Sequence, residues 1–325
     1  MHPAFSVIFL TTLLGAGQGL FLALYTGQLY VLANLLPDQS NDFYIMGSLL
    51  SMALLFAGLI ASVFHLGRPE RAWRAATQWR TSWLSREVVI LPTAMVLTFF
   101  YGLFHYLGWT QALFTISDTL PVDATLITGA LGALASFLLF LCTAMIYASL
   151  RFIKAWHSPL TVANFLFLGI ASGFMLAAVL SAYMGTNLVA FYGIWAVVAT
   201  ILGAISRGSS LYRNSKFRCK VDMQSAIGVH HSQLHQKAQG FMGGSFNTRE
   251  YFHGKSDGFL LMIRYIFLLM VFVFPVLLIL LAYLSESARL PIAAFTIQYL
   301  GLVLERYHFF TEAKHPQNLY YQSMA

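Results

Sequence analysis

The run "FSVIFLTTLLGAGQGLFLALYTGQLYVLA", Phe5–Ala33, contains 29 residues and no Asp, Glu, Lys or Arg. A bilayer core about 30 Å thick is crossed by roughly 20 apolar residues in a helix, so this run reads as a membrane span. It is too long for the apolar core of a secretory signal and no basic segment precedes it, so it reads as a retained span. Seven further stretches meet or approach the required length: Phe43–Phe64, Glu87–Leu107, Ala124–Leu150, Leu160–Met184, Asn187–Ile205, Phe259–Leu284 and Leu290–Arg306. None alternates apolar and polar residues as a barrel strand does, and only helices then satisfy the backbone in lipid. The expected architecture is an all-α integral membrane protein, an eight-transmembrane-helix bundle forming one polytopic domain over residues 1–325. Pro37, Pro121, Pro159 and Pro291 fall between runs. Pro92 and Pro275 fall inside them and are expected to kink their helices.

Composition excludes the soluble classes. Hydrophobic residues make up 58 % and charged residues 10 % of the chain, against about 25 % charged in an ordinary soluble domain. Disorder requires the opposite balance. Two cysteines, Cys142 and Cys219, exclude a disulfide framework, a four-cysteine zinc site and an iron–sulfur cluster held by this chain alone.

Eight spans put both termini on one side, and charge says which. That side carries 18 of the 19 Lys and Arg residues, for a net +11. The other carries Arg289 against Asp38, Asp42, Asp118, Asp123 and Glu286, for a net −4. By the positive-inside rule the basic face and both termini are cytoplasmic. Two segments on that face read as docking surfaces for partners: the loop Ser206–Asp257 and the tail 307–325. The loop holds "GFMGGSFNTREYFHG" (240–254) and His230, His231, His235 and His253. The histidines lack a carboxylate or thiolate at ligand spacing beyond their own cluster, so a metal site is not expected. Nothing in the pattern calls for a nucleic-acid partner.

Chemistry concentrates in the first basic loop, "FHLGRPERAWRAATQWRTSWLSRE" (64–87). Its arginines and Trp73, Trp79 and Trp83 fit an amphipathic segment lying in the membrane interface. His65 and Glu87 are different. One closes a span and the other opens the next, so both are expected at one membrane boundary and near each other. Ionisable groups at that depth are costly and often functional, and a histidine titrates near neutrality. Such a pair suits a quinone, whose two-electron chemistry moves two protons. A plain His–Glu or Glu–Arg ion pair fixing the loop explains the same residues. Haem is not expected, since only His65 and His105 lie at span ends and those ends are on opposite faces. Gln18, Tyr25, Gln28, Tyr30, Asn164, Tyr183 and Gln298 lie within spans, most of them expected to bridge helices.

"MHPAFSVIFLTTLLGAGQGL" (1–20), "HLGRPERAWRA" (65–75), "TSWLSRE" (81–87) and "QYLGLVLERYHFFTEAKHPQNLYYQ" (298–322) resemble the dimethyl sulfoxide reductase anchor subunit family. The resemblance covers the whole chain. It implies an anchor without haem that binds a ferredoxin-like iron–sulfur subunit and a molybdopterin catalytic subunit. It also implies electron exchange with ubiquinone or menaquinone in a bacterial cytoplasmic membrane. The [4Fe–4S] clusters and molybdopterin then belong to the partners. The family's quinone-site His and Glu match His65 and Glu87. Arg68, Arg71 and Arg86 are candidates for stabilising negative charge beside them, with lipid phosphate or partner contact as the alternative, and Trp83 is a candidate lining of the mouth that the aromatic belt explains equally well. The long third loop and extended tail are similar to the branch that anchors quinone-linked sulfite dehydrogenases. A quinol-oxidising anchor of a dimethyl sulfoxide or polysulfide reductase is the alternative. A solute transporter would need broken helices in paired halves and a midplane polar site, which the sequence does not offer.

Overall fold

The computed structural model describes residues 2–116, 120–217, 224, 227–231, 233–234, 253–285 and 287–315. Eight long helices account for most of them: α1 (Phe5–Leu32), α2 (Asn41–Val63), α3 (Trp83–Tyr106), α4 (Ala124–Ala148), α5 (Pro159–Tyr183), α6 (Val189–Ser215), α7 (Asp257–Ser285) and α8 (Arg289–Glu312). A ten-residue 3₁₀ helix, Pro69–Gln78, lies between α2 and α3, and a two-stranded antiparallel ribbon pairs Phe114 with Val122 before α4. Seven of the eight long helices are long and apolar enough to cross a membrane, which makes this a multi-pass membrane protein. The other, α8, has the length, but Gln298, Glu305 and Arg306 lower its hydropathy.

The chain sets the helix ends locally. Ser82, Asp123, Ser158 and Ser256 each cap a helix by accepting from a backbone N–H in its first turn. Just past the ends of α3 and α5 come Gly108 and Gly185, at φ +68° and +67°, a left-handed conformation that glycine adopts without strain.

α1 is the central helix and packs on α2, α4, α5 and α8. Lipid is as apolar as a protein core, so burial here follows size and polarity rather than hydrophobicity. α1 buries Thr11, Thr12, Gly17, Gln18, Gly19 and Gly27, while Phe56, Phe99 and Leu131 on flanking helices face outward. Glycines bring α1 and α5 into backbone contact: a Cβ on Gly19 would overlap the Gly169 carbonyl, and one on Gly173 would overlap the Gly19 carbonyl carbon.

Of the two prolines inside runs, Pro92 leaves α3 continuous to Tyr106. Pro275 follows a π-helical turn, Leu269–Val273. A proline has no N–H for the carbonyl four residues back, here that of Val271. Gln298 of α8 donates Nε2 to that carbonyl at 3.4 Å and to Thr200 Oγ1 at 3.0 Å. Gln298→Leu removes both bonds inside the bundle. It is expected to cost about 1–3 kcal/mol, read as a lower midpoint in denaturant titration in mixed micelles.

The third basic loop begins later than Ser206, because α6 runs on to Ser215. The tail likewise begins as helix, α8 ending at Glu312. His235, most of residues 218–252, and 316–325 lie outside the described residues.

Candidate functional site

The 3₁₀ helix Pro69–Gln78 has no buried residue and leaves Trp73 66 % exposed. Each of the loop's tryptophans is paired with an arginine: Arg74 with Trp73 at 5.5 Å, Arg80 with Trp79 at 5.4 Å and Arg86 with Trp83 at 4.1 Å. Arg86 also clasps the loop to α3. Its Nε donates to the Trp79 carbonyl at 3.0 Å and its Nη2 to the Arg80 carbonyl at 2.8 Å. Its polar work is therefore local, and what it adds beyond the clasp is its charge.

Glu87 lies deeper than the run Glu87–Leu107 implies. α3 starts at Trp83, so Glu87 sits a full turn inside the helix, about 6 Å along its axis. It is buried, and its Oε1 accepts from Thr143 Oγ1 of α4 at 2.5 Å. His65 follows the end of α2 and is exposed, as is Arg68 at the start of the 3₁₀ helix. Partial burial pushes the His65 imidazole below its ordinary pKa, and a hydrogen bond with the Ala61 backbone pulls the other way. No hydrogen bond or ion pair joins His65 to Glu87 among the described residues. The carboxylate is held by α4 instead.

A second charged cluster lies between α6 and α8. Arg207 is fully buried, and its Nε meets Glu305 Oε1 at 2.8 Å. Arg306 Nη1 meets Glu305 Oε2 at 3.1 Å, and its guanidinium lies 3.7 Å from the centre of the Phe165 ring. His308 and Glu312 complete the cluster, with Arg207 Nη2 3.3 Å from His308 Nδ1 and Nη1 3.7 Å from Glu312. A count of charges by loop places Arg207 in a loop and His308 in the tail. The signal such a count passes over is that no breaker separates "AVVATILGAIS" (196–206) from Arg207, so the helix carries the arginine into the bundle.

A third polar group gathers at the opposite end. His105, buried near the end of α3, stacks on Tyr44 at 4.4 Å and lies 3.3 Å from Asn41 Oδ1. Tyr101 donates to Gln28 Oε1 at 2.9 Å, and Gln28 Nε2 donates to Thr125 at 2.6 Å. Gln28, Gln298 and Asn164, which accepts from Ser206 at 2.7 Å, are thus bridges between helices. Tyr183 is 80 % exposed and is not one.

The family model described as DMSO reductase anchor subunit (DmsC) matches residues 1–311. The chain is also 62 % identical to a sulfite dehydrogenase subunit of Allochromatium vinosum over 325 residues, the full length of both. A polytopic helical bundle, the family match along nearly the whole chain and the full-length relative agree: the chain belongs to the DMSO reductase anchor subunit (DmsC) family.

Proposed function

We propose that this chain is the membrane anchor and quinone-exchanging subunit of a sulfite-oxidising complex in a bacterial cytoplasmic membrane. The observation that carries the reading is the full-length identity of 62 % to a subunit of a sulfite dehydrogenase. In this reading α8 is the eighth span and both termini are cytoplasmic. The catalytic molybdopterin subunit and a ferredoxin-like subunit with [4Fe–4S] clusters dock on the basic face, against the third loop and the tail. The lopsided charge supports that side.

Quinone is the redox partner the family resemblance implies, and the residues of the first loop suit it. A quinone headgroup presents two oxygens that each take or give a hydrogen bond. His65 offers an exposed imidazole. Glu87 has one oxygen engaged by Thr143 and keeps 6 % of its surface exposed. Bound there, quinone supplies a lipid-soluble carrier of two electrons and two protons. His65 orients the headgroup through a ring nitrogen. Glu87 holds and passes a proton at its carboxylate, which Thr143 keeps in place. Arg68 adds positive charge where negative charge develops. Arg86 holds Trp83 at the mouth of the site.

The test is to purify the chain from native membranes and assay sulfite-dependent reduction of a soluble quinone analogue. Co-purification with molybdenum and iron–sulfur subunits, and activity with sulfite, is the expected result. Quinol-driven reduction of an S- or N-oxide without sulfite activity would move the chain to the reductase reading.

A further inference from the structure

α1, α4, α5 and α8 border a cavity of about 20 Å³, with Thr11, Thr12, Gln18, Thr143, Ser172 and Arg306 as its polar lining. That volume suits a single water, which needs about 10–15 Å³ and two to four polar partners. The partners can be assigned from their other bonds. Thr11, Thr12 and Ser172 donate to carbonyls of their own helices. Thr143 gives its proton to Glu87, so its oxygen is left to accept. Gln18 is 2 % exposed, and its Oε1 has no partner among the described residues. Arg306 is 4 % exposed and brings N–H donors to the same cavity. Thr143, which donates to Glu87, lines the same cavity as Arg306, and that is what connects the two charges.

We propose that this cavity binds one water that accepts from Arg306 and donates to Gln18 Oε1 and Thr143 Oγ1. Arg306 is then a positioning residue. Its charge supports the Glu87 carboxylate through the water and Thr143, although the two side chains sit on different helices. Every link in the series Arg306, water, Thr143, Glu87 donates in the same direction, so each hydrogen bond polarises the next. The inference rests on the proton-handling role of Glu87 proposed above. It adds that the carboxylate is controlled from the interior of the bundle as well as from the loop.

The test uses the whole complex in proteoliposomes, with quinone reduction normalised to dye-linked sulfite oxidation by the partner subunits. Gln18→Leu removes an acceptor and leaves an apolar side chain of similar size in the cavity wall. Thr143→Val cuts the link to Glu87 and serves if Gln18→Leu fails to assemble. Both are expected to slow quinone reduction about tenfold, the size of a lost charge-assisted hydrogen bond. Both are also expected to shift the carboxyl stretch of Glu87 in oxidised-minus-reduced infrared spectra, a band assigned by its loss in Glu87→Gln. Without the water the band stays in place in Gln18→Leu, whereas Thr143→Val, which removes a direct bond to Glu87, shifts it on either account. Arg306→Lys, which keeps the charge, is expected to be slowed less than Arg306→Gln. An unshifted band and a wild-type rate in assembled Gln18→Leu, or a wild-type rate in Thr143→Val, with Glu87→Gln inactive towards quinone, would overturn this inference alone. A normal quinone rate in Glu87→Gln would overturn the role of Glu87 and this inference with it.

Discussion

Glu305→Gln is expected to destabilise the bundle by about 3–5 kcal/mol, the cost of leaving a buried charge uncompensated. Glu305 is fully buried and is the carboxylate that faces both Arg207, at 2.8 Å, and Arg306, at 3.1 Å. The neutral amide keeps the shape and removes the charge that holds two arginines inside the protein. Arg207 retains Glu312 at 3.7 Å, whereas Arg306 is left chiefly with the faces of Phe165 and Phe309. The surface pair Glu70–Arg71, at 3.9 Å and well exposed on both sides, is the internal control. Glu70→Gln is expected to move the unfolding midpoint by no more than an exposed ion pair allows, about 0–1 kcal/mol. Denaturant titration of the three proteins in the same mixed micelles makes the comparison. The double variant Glu305→Gln/Arg306→Gln is expected to recover part of the loss, because it removes one stranded charge together with its partner.

Gly173→Leu is expected to prevent normal assembly of the bundle. Gly173 of α5 lies against Gly19 of α1 so closely that even a Cβ would overlap the Gly19 carbonyl carbon, and the atoms met are backbone. Backbone cannot swing aside as a flexible side chain does. α1 must move off α5, and it is the helix around which the others pack. Overpacking in a well-filled core costs about 1–3 kcal/mol and more when backbone must shift, so a cost at or beyond the top of that range is expected. The measurements are the yield of detergent-stable protein and its thermal midpoint. Gly208→Ala on α6 is the matched control, since a Cβ there meets nothing within 4 Å. It is expected to be neutral or to stabilise the helix by up to about 1 kcal/mol through helix propensity.

The helices are legible in the sequence because a span must be long and apolar, and runs such as Phe5–Ala33 have no other reading. The break near Pro275 is legible too, because a missing N–H must appear somewhere in the hydrogen-bond ladder. That it takes the form of a π turn with Gln298 on the Val271 carbonyl is not, since it depends on a helix that follows in the chain. The site is legible as residue types and only partly as geometry. Glu87 stands out as an ionisable group at a span boundary. Its partner, Thr143, is 56 residues away and looks like any other hydroxyl in an apolar run. Arg207 is hidden for a related reason. Hydropathy treats an arginine as the end of a span, while a carboxylate on another helix can draw it inside. Counting charges by loop cannot see that exchange.

The central claim is that Glu87, with His65, couples the partner subunits to membrane quinone, and the most direct measurement is a ratio of two rates in one preparation. Glu87→Gln and His65→Ala complexes are assayed for sulfite oxidation with an artificial dye and for sulfite-dependent reduction of a quinone analogue. On this claim the dye takes electrons before they reach this chain and reports the partners alone. On the same claim quinone reduction requires Glu87 and His65. Both variants are predicted to lose quinone reduction while the dye-linked rate of the assembled complex persists. Quinone reduction at the wild-type rate in both would contradict the claim and leave Glu87 as a structural acceptor for Thr143.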